Sequence, residues 1–162
     1  MTNRPAATSP LDTSPVPVQT KLVAAWTSLM FIIVYVDIFN FYKPGVIDGI
    51  RSGLIWEFDI SPTLLTVFLA SMIVPAAMML VSAALPARAN RITNLVVAML
   101  LIPYCVFNAA GTTAEWVPFY VLSIGVEVLI LVFVLRTAWR WPRVVTAPAA
   151  PEASLAGASV GR

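Results

Sequence analysis

Four apolar stretches, each near the roughly 20 residues that cross a bilayer, organise this chain. They run over residues 22–42, 62–85, 92–110 and 116–136. The prediction is an all-α integral membrane four-helix bundle with antiparallel up-down topology. Ser61 is placed to cap the second span and Pro62 to begin it, and Asn90 stands where a cap of the third is expected. Pro118 falls in the first turn of the fourth span, where its missing N–H costs nothing. Pro75 and Pro103 lie mid-span and predict kinks.

The polar stretches between the spans differ in kind. Those at 86–91 and 111–115 are short and force antiparallel neighbours. The link at 43–61 is longer, with Ile47, Ile50, Leu54 and Phe58 at helical spacing opposite Asp48, Ser52 and Asp59. Two readings stand for it. One is an interfacial amphipathic helix over 46–60 anchored by Trp56; the other is an irregular loop broken by Gly45, Gly49 and Gly53. Residues 1–20 and 144–162 are rich in Pro, Ala and Ser without apolar periodicity, and read as disordered tails.

Composition agrees with a lipid setting. Hydrophobic residues make up 59% of the chain and charged residues 11%, with a mean hydropathy of +0.87. Soluble domains are about half apolar and about a quarter charged. A sequence pI near 9.0 suggests nucleic acid in a soluble protein, but here the basic residues flank the spans. Arg4, Lys21, Arg88, Arg91, Arg136, Arg140, Arg143 and Arg162 fall on one side, against Lys43 and Arg51 on the other. That bias predicts both termini in the cytoplasm and no nucleic-acid partner.

Counting removes much chemistry. There is no histidine, and Cys105 is the single cysteine. A bis-histidine haem, a His/Cys zinc site and a histidine-based triad are excluded. No metal site, cofactor or catalytic residue is expected. For an enzyme, only carboxylate chemistry or a bound redox lipid would remain.

Two acids sit inside spans, and a charge at the bilayer centre costs about 2.5–3.5 kcal/mol on insertion scales. Glu127 lies roughly 16 Å from the outer end of its span and Asp37 roughly 7 Å from the outer end of its own. That difference in depth rules out a direct carboxylate dyad. Asp37 and Asn40 share a face, as do Tyr120, Ser123 and Glu127. With Tyr104 and Asn108 of the third span they form a candidate intramembrane polar site, an outward-opening pocket floored by Glu127 if the faces converge. The plainer readings are a headgroup contact for Asp37 and an interhelical hydrogen-bonding bolt for Glu127. At the other end Arg88, Asn90, Arg91 and Asn94 form a second polar cluster, in which Arg88 and Arg91 read as topology determinants and lipid-phosphate contacts. Cys105 reads as a small buried hydrophobe.

The run Asp37-Ile-Phe-Asn-Phe-Tyr-Lys-Pro44-Gly45, then Arg88-Ala-Asn90-Arg91, then Glu127-Val128, resembles a family of small four-helix bacterial membrane proteins catalogued as a domain of unknown function. The resemblance covers about residues 21–143. It implies a bacterial plasma-membrane protein and draws attention to the same polar positions, with no activity attached. The expected role is a non-catalytic accessory or structural bundle whose partners are the bilayer and either a second copy or another membrane protein. The alternative is a small-molecule-binding or proton-coupled protein using Glu127.

Overall fold

The computed structural model describes residues 15–142. Four long helices carry the fold: α1 (Val18–Asn40), α3 (Pro62–Ala84), α4 (Ala87–Phe107) and α5 (Val117–Trp139). All four are long and apolar enough to cross a membrane. The whole of the 144–162 stretch and residues 1–14 of the 1–20 stretch, read above as tails, lie outside the described residues, whereas α1 begins at Val18, inside the stretch assigned to the first tail.

The helix starts follow local chemistry. Ser61 Oγ accepts the Leu64 amide at 3.1 Å and Pro62 opens α3, so the predicted cap is the one used. A short 3₁₀ turn, Ala114–Trp116, leads into α5, with Pro118 in the first turn. The start of α4 differs from expectation. It lies at Ala87 rather than 92, and Pro86 occupies the cap position. Asn90 is therefore inside the helix and caps nothing at its N-terminus. Both helices continue through Pro75 and Pro103, whose missing N–H groups release the carbonyls of Ser71 and Met99.

The long link resolves into parts of both readings. α2 (Val46–Arg51) is helical, and β1 (Leu54–Ile55) pairs antiparallel with β2 (Phe58–Asp59), Leu54 opposite Asp59. Gly53, at φ +87°, ends the helical stretch in a conformation that side chains with a Cβ resist. Ile47 and Ile50 thus share a helix while Leu54 and Phe58 do not continue it.

α1 packs against both α3 and α5, and α5 packs against α4, while α3 and α4 barely meet. The core is formed by Leu22, Trp26 and Leu29 of α1, Met78 of α3, Ala98 and Leu101 of α4, and Leu131 and Val134 of α5. Apart from Leu101, which lies past the middle of α4, these residues lie from mid-bundle to the end that contains the start of α1 and the end of α5, here the terminal end. In α1 no residue beyond Leu29 is buried, and in α3 none before Pro75. The opposite half, the far end, is loosely packed. Phe31, Leu69, Leu80, Leu100, Leu122 and Leu129 are exposed on the outside, as expected where lipid is the solvent.

Candidate functional site

The polar side chains gather at two levels. At the terminal end, Asn94 lies fully buried at the centre of a network. Its Oδ1 accepts from Trp26 Nε1 at 2.7 Å and from Ser82 Oγ at 3.2 Å. Its Nδ2 donates to Asn90 Oδ1 at 2.7 Å and to the Asn90 carbonyl at 2.9 Å. Asn90 Nδ2 in turn donates to the carbonyl of Ser82 at 2.6 Å and to that of Leu85 at 3.4 Å. Helix ends leave their last carbonyls without backbone partners, so Asn90 serves the C-terminus of α3. Gln19 Nε2 adds a second donor to Leu85 O at 3.3 Å. Arg91 does the same for α5, donating Nε to Ala138 O at 3.2 Å and Nη2 to Trp139 O at 3.5 Å. Its guanidinium carbon stands 5.8 Å from the Trp139 ring centroid. Arg88 remains exposed. The terminal cluster is therefore a set of interhelical bolts built from Asn90, Arg91 and Asn94, joined by Trp26 and Ser82, which the residue pattern alone did not single out.

The far-end candidates separate into groups. The buried stripe of α1 (Leu22, Trp26, Leu29), continued by threes and fours, reaches Ile33, Asp37 and Asn40. Asn40 meets α5, where Tyr120 Oη donates to its Oδ1 at 3.2 Å. Lys43 Nζ donates to the same phenol oxygen at 2.7 Å. That ammonium is also 4.2 Å from the Tyr120 ring centroid, 5.0 Å from Trp116 and 5.2 Å from Phe119, an aromatic cage around a cation. Lys43 had counted only as a topology charge. The signal for it was its place three residues after Asn40, opposite aromatics at the start of the fourth span.

Deeper in α5, Ser123 and Glu127 are both buried, at 7% and 4% exposure. Ser123 Oγ donates to Tyr120 O at 3.3 Å. The Cys105 thiol of α4, buried as expected, lies against the Glu127 carboxyl rather than among hydrocarbon alone. Tyr104 turns towards α3, and its hydroxyl donates to Ser71 Oγ at 3.2 Å across the opening between α3 and α4. That opening holds about 270 Å³, between Ser71 and Val74 on one wall and Val97, Leu100, Leu101 and Tyr104 on the other. Asp37 and Asn108 are exposed, and among the described residues neither side chain makes a hydrogen bond. The faces thus bring together Asn40 with Tyr120 and, separately, Ser123 with Glu127. Tyr104 and Asn108 stand apart from both, whereas the Asp37 carboxyl of α1 lies within charge-interaction range of Glu127.

The family model described as a family of unknown function, DUF6326, matches residues 18–146. No curated protein and no solved structure matches the chain.

Proposed function

We propose for this chain, which belongs to the DUF6326 family of unknown function, a non-catalytic accessory role in the bacterial plasma membrane. In this reading the terminal end faces the cytoplasm, as the Lys/Arg distribution favours. The open far half receives a membrane partner, either a second copy or another protein. The observation that carries the reading is Asp37. It continues the core stripe of α1 at span depth, yet its side chain is exposed. Asp37 thus lies on the interior-facing stripe of the open half, where an unpaired acid at span depth costs kilocalories, and a polar side chain of a partner entering that half removes the cost. The terminal half needs no such help, because its buried amides, Asn90 and Asn94, are met by Trp26, Ser82 and each other.

The test is cross-linking in native membranes followed by native electrophoresis. Wild type is expected to run as a complex, and Asp37→Asn to lower its yield about tenfold, or 1.4 kcal/mol, at unchanged monomer melting temperature. A wild-type monomer with no partner would overturn the reading.

The juxtaposition of buried Glu127, Ser123 and Cys105 between α4 and α5 favours a second reading, a small-molecule-binding or proton-coupled site. A molecule retained by wild type in native mass spectrometry and lost from folded Glu127→Gln would select it.

A further inference from the structure

A groove between α1 and α5 lies on the outer surface of the terminal half, away from the polar clusters. Small side chains on α1, Ala24 and Ser28, face Val126, Leu129 and Phe133 of α5 and leave a furrow of about 510 Å³ between the helices. Its walls are almost wholly apolar, which suits a hydrocarbon chain and no soluble ligand. Along α1 from Lys21 to Ser28 the furrow extends for about 10 Å at 1.5 Å per residue.

The mouth of the groove has a different chemistry. Lys21 lines it directly. On the opposite wall the Leu129–Phe133 stripe, continued by three residues, reaches Arg136, which is exposed in the last turn of α5. Arg140 follows one turn later on the same side and is also exposed. The groove thus joins an apolar furrow at acyl-chain depth to basic side chains at headgroup level. Among the described residues no acid lines it.

We propose that this groove is a binding site for one anionic phospholipid, its acyl chain lying in the furrow and its phosphate held by Lys21 and Arg136. Charge complementarity decides the class of lipid. Each Lys or Arg near a membrane surface favours an anionic headgroup by about fivefold. A zwitterionic headgroup fills the same furrow without that gain, because its own cation competes at the mouth.

Native mass spectrometry of the purified chain tests this, using micelles containing equal phosphatidylglycerol and phosphatidylethanolamine. Wild type is expected to retain phosphatidylglycerol in clear preference. Lys21→Ala lowers that preference about fivefold and Lys21→Arg restores it. Ala24→Trp fills the furrow and reduces retention of both lipids. Lys21 and Ala24 are both exposed, and matching melting temperatures establish that the variants fold. Equal retention of the two lipids by wild type would overturn the site, as would a preference untouched by Lys21→Ala. Retention unchanged in Ala24→Trp overturns the acyl position, and cross-linking of a second copy through Ser28→Cys would give the groove to a protein instead.

Discussion

At the scale of single residues, Asn94 shows how a polar group is kept inside a membrane bundle. Its side-chain oxygen receives two hydrogen bonds and its nitrogen gives two, so its amide leaves nothing to be satisfied by lipid. Asn94→Leu strands the Trp26 indole N–H and the Ser82 hydroxyl together. The expected loss is about 2 kcal/mol, at the upper end for interhelical bonds in membranes, seen as a lower melting temperature in detergent. In a Trp26→Phe background the same substitution is expected to cost less than half as much, because one stranded donor is already gone. Additive losses would place the effect elsewhere. The sequence marked Asn94 as a polar residue near Arg88 and Arg91, which is where it lies. Its link to Trp26 was hidden because an interhelical bond across 68 positions leaves no local spacing to read. The same is true of Cys105 and Glu127, whose meeting depends on how α4 and α5 rotate against each other.

At the scale of elements, the C-terminal ends of α3 and α5 are held by side chains of a neighbouring helix. α4 has no side-chain cap hydrogen bond at its start, yet it lends Asn90 to the end of α3 and Arg91 to the end of α5. Arg91→Ala is expected to fray the last turn of α5, raising hydrogen exchange at Trp139 and Arg140 about fivefold for roughly 1 kcal/mol. Amides near Glu127 should not change. Arg91→Lys should fall between, since an ammonium keeps the charge but loses the fork of donors. Exchange rising equally along the whole helix would mean that the bundle, not the cap, had been weakened. Span number and Ser61 were readable because length and capping are local properties. The start of α4 was misplaced by five residues, since Ala87–Arg91 is too polar to look like part of a span until its side chains have helix ends to serve. Trp56 adopts φ 55° beside Gly53, and that turn breaks a pattern whose apolar spacing alone resembled one continuous helix.

At the scale of the whole molecule, the two halves differ in how they are held. The terminal half has a packed apolar core crossed by hydrogen bonds, whereas the far half is tied mainly by the Asn40–Tyr120–Lys43 clasp and the Tyr104–Ser71 bond. Overall architecture was legible because lipid imposes it on any chain with four such spans. The unequal packing was not, since hydropathy says nothing of which neighbours separate. The terminal network also bears on how the chain is made. α4 is the least apolar of the four spans, and it carries two amides that lipid alone would reject. Ser82 and Leu85, which answer Asn90, lie just before it on α3 and leave the ribosome first. The two helices therefore have what they need to enter the bilayer as a pair before α5 exists. Placed behind α3, α4 should integrate more efficiently than behind an unrelated apolar span, as read by glycosylation of a lumenal acceptor site in microsomes. Equal integration in both settings would show that α4 crosses unaided. A difference would mean that part of this fold is assembled in the translocon, by a helix that has already gone ahead.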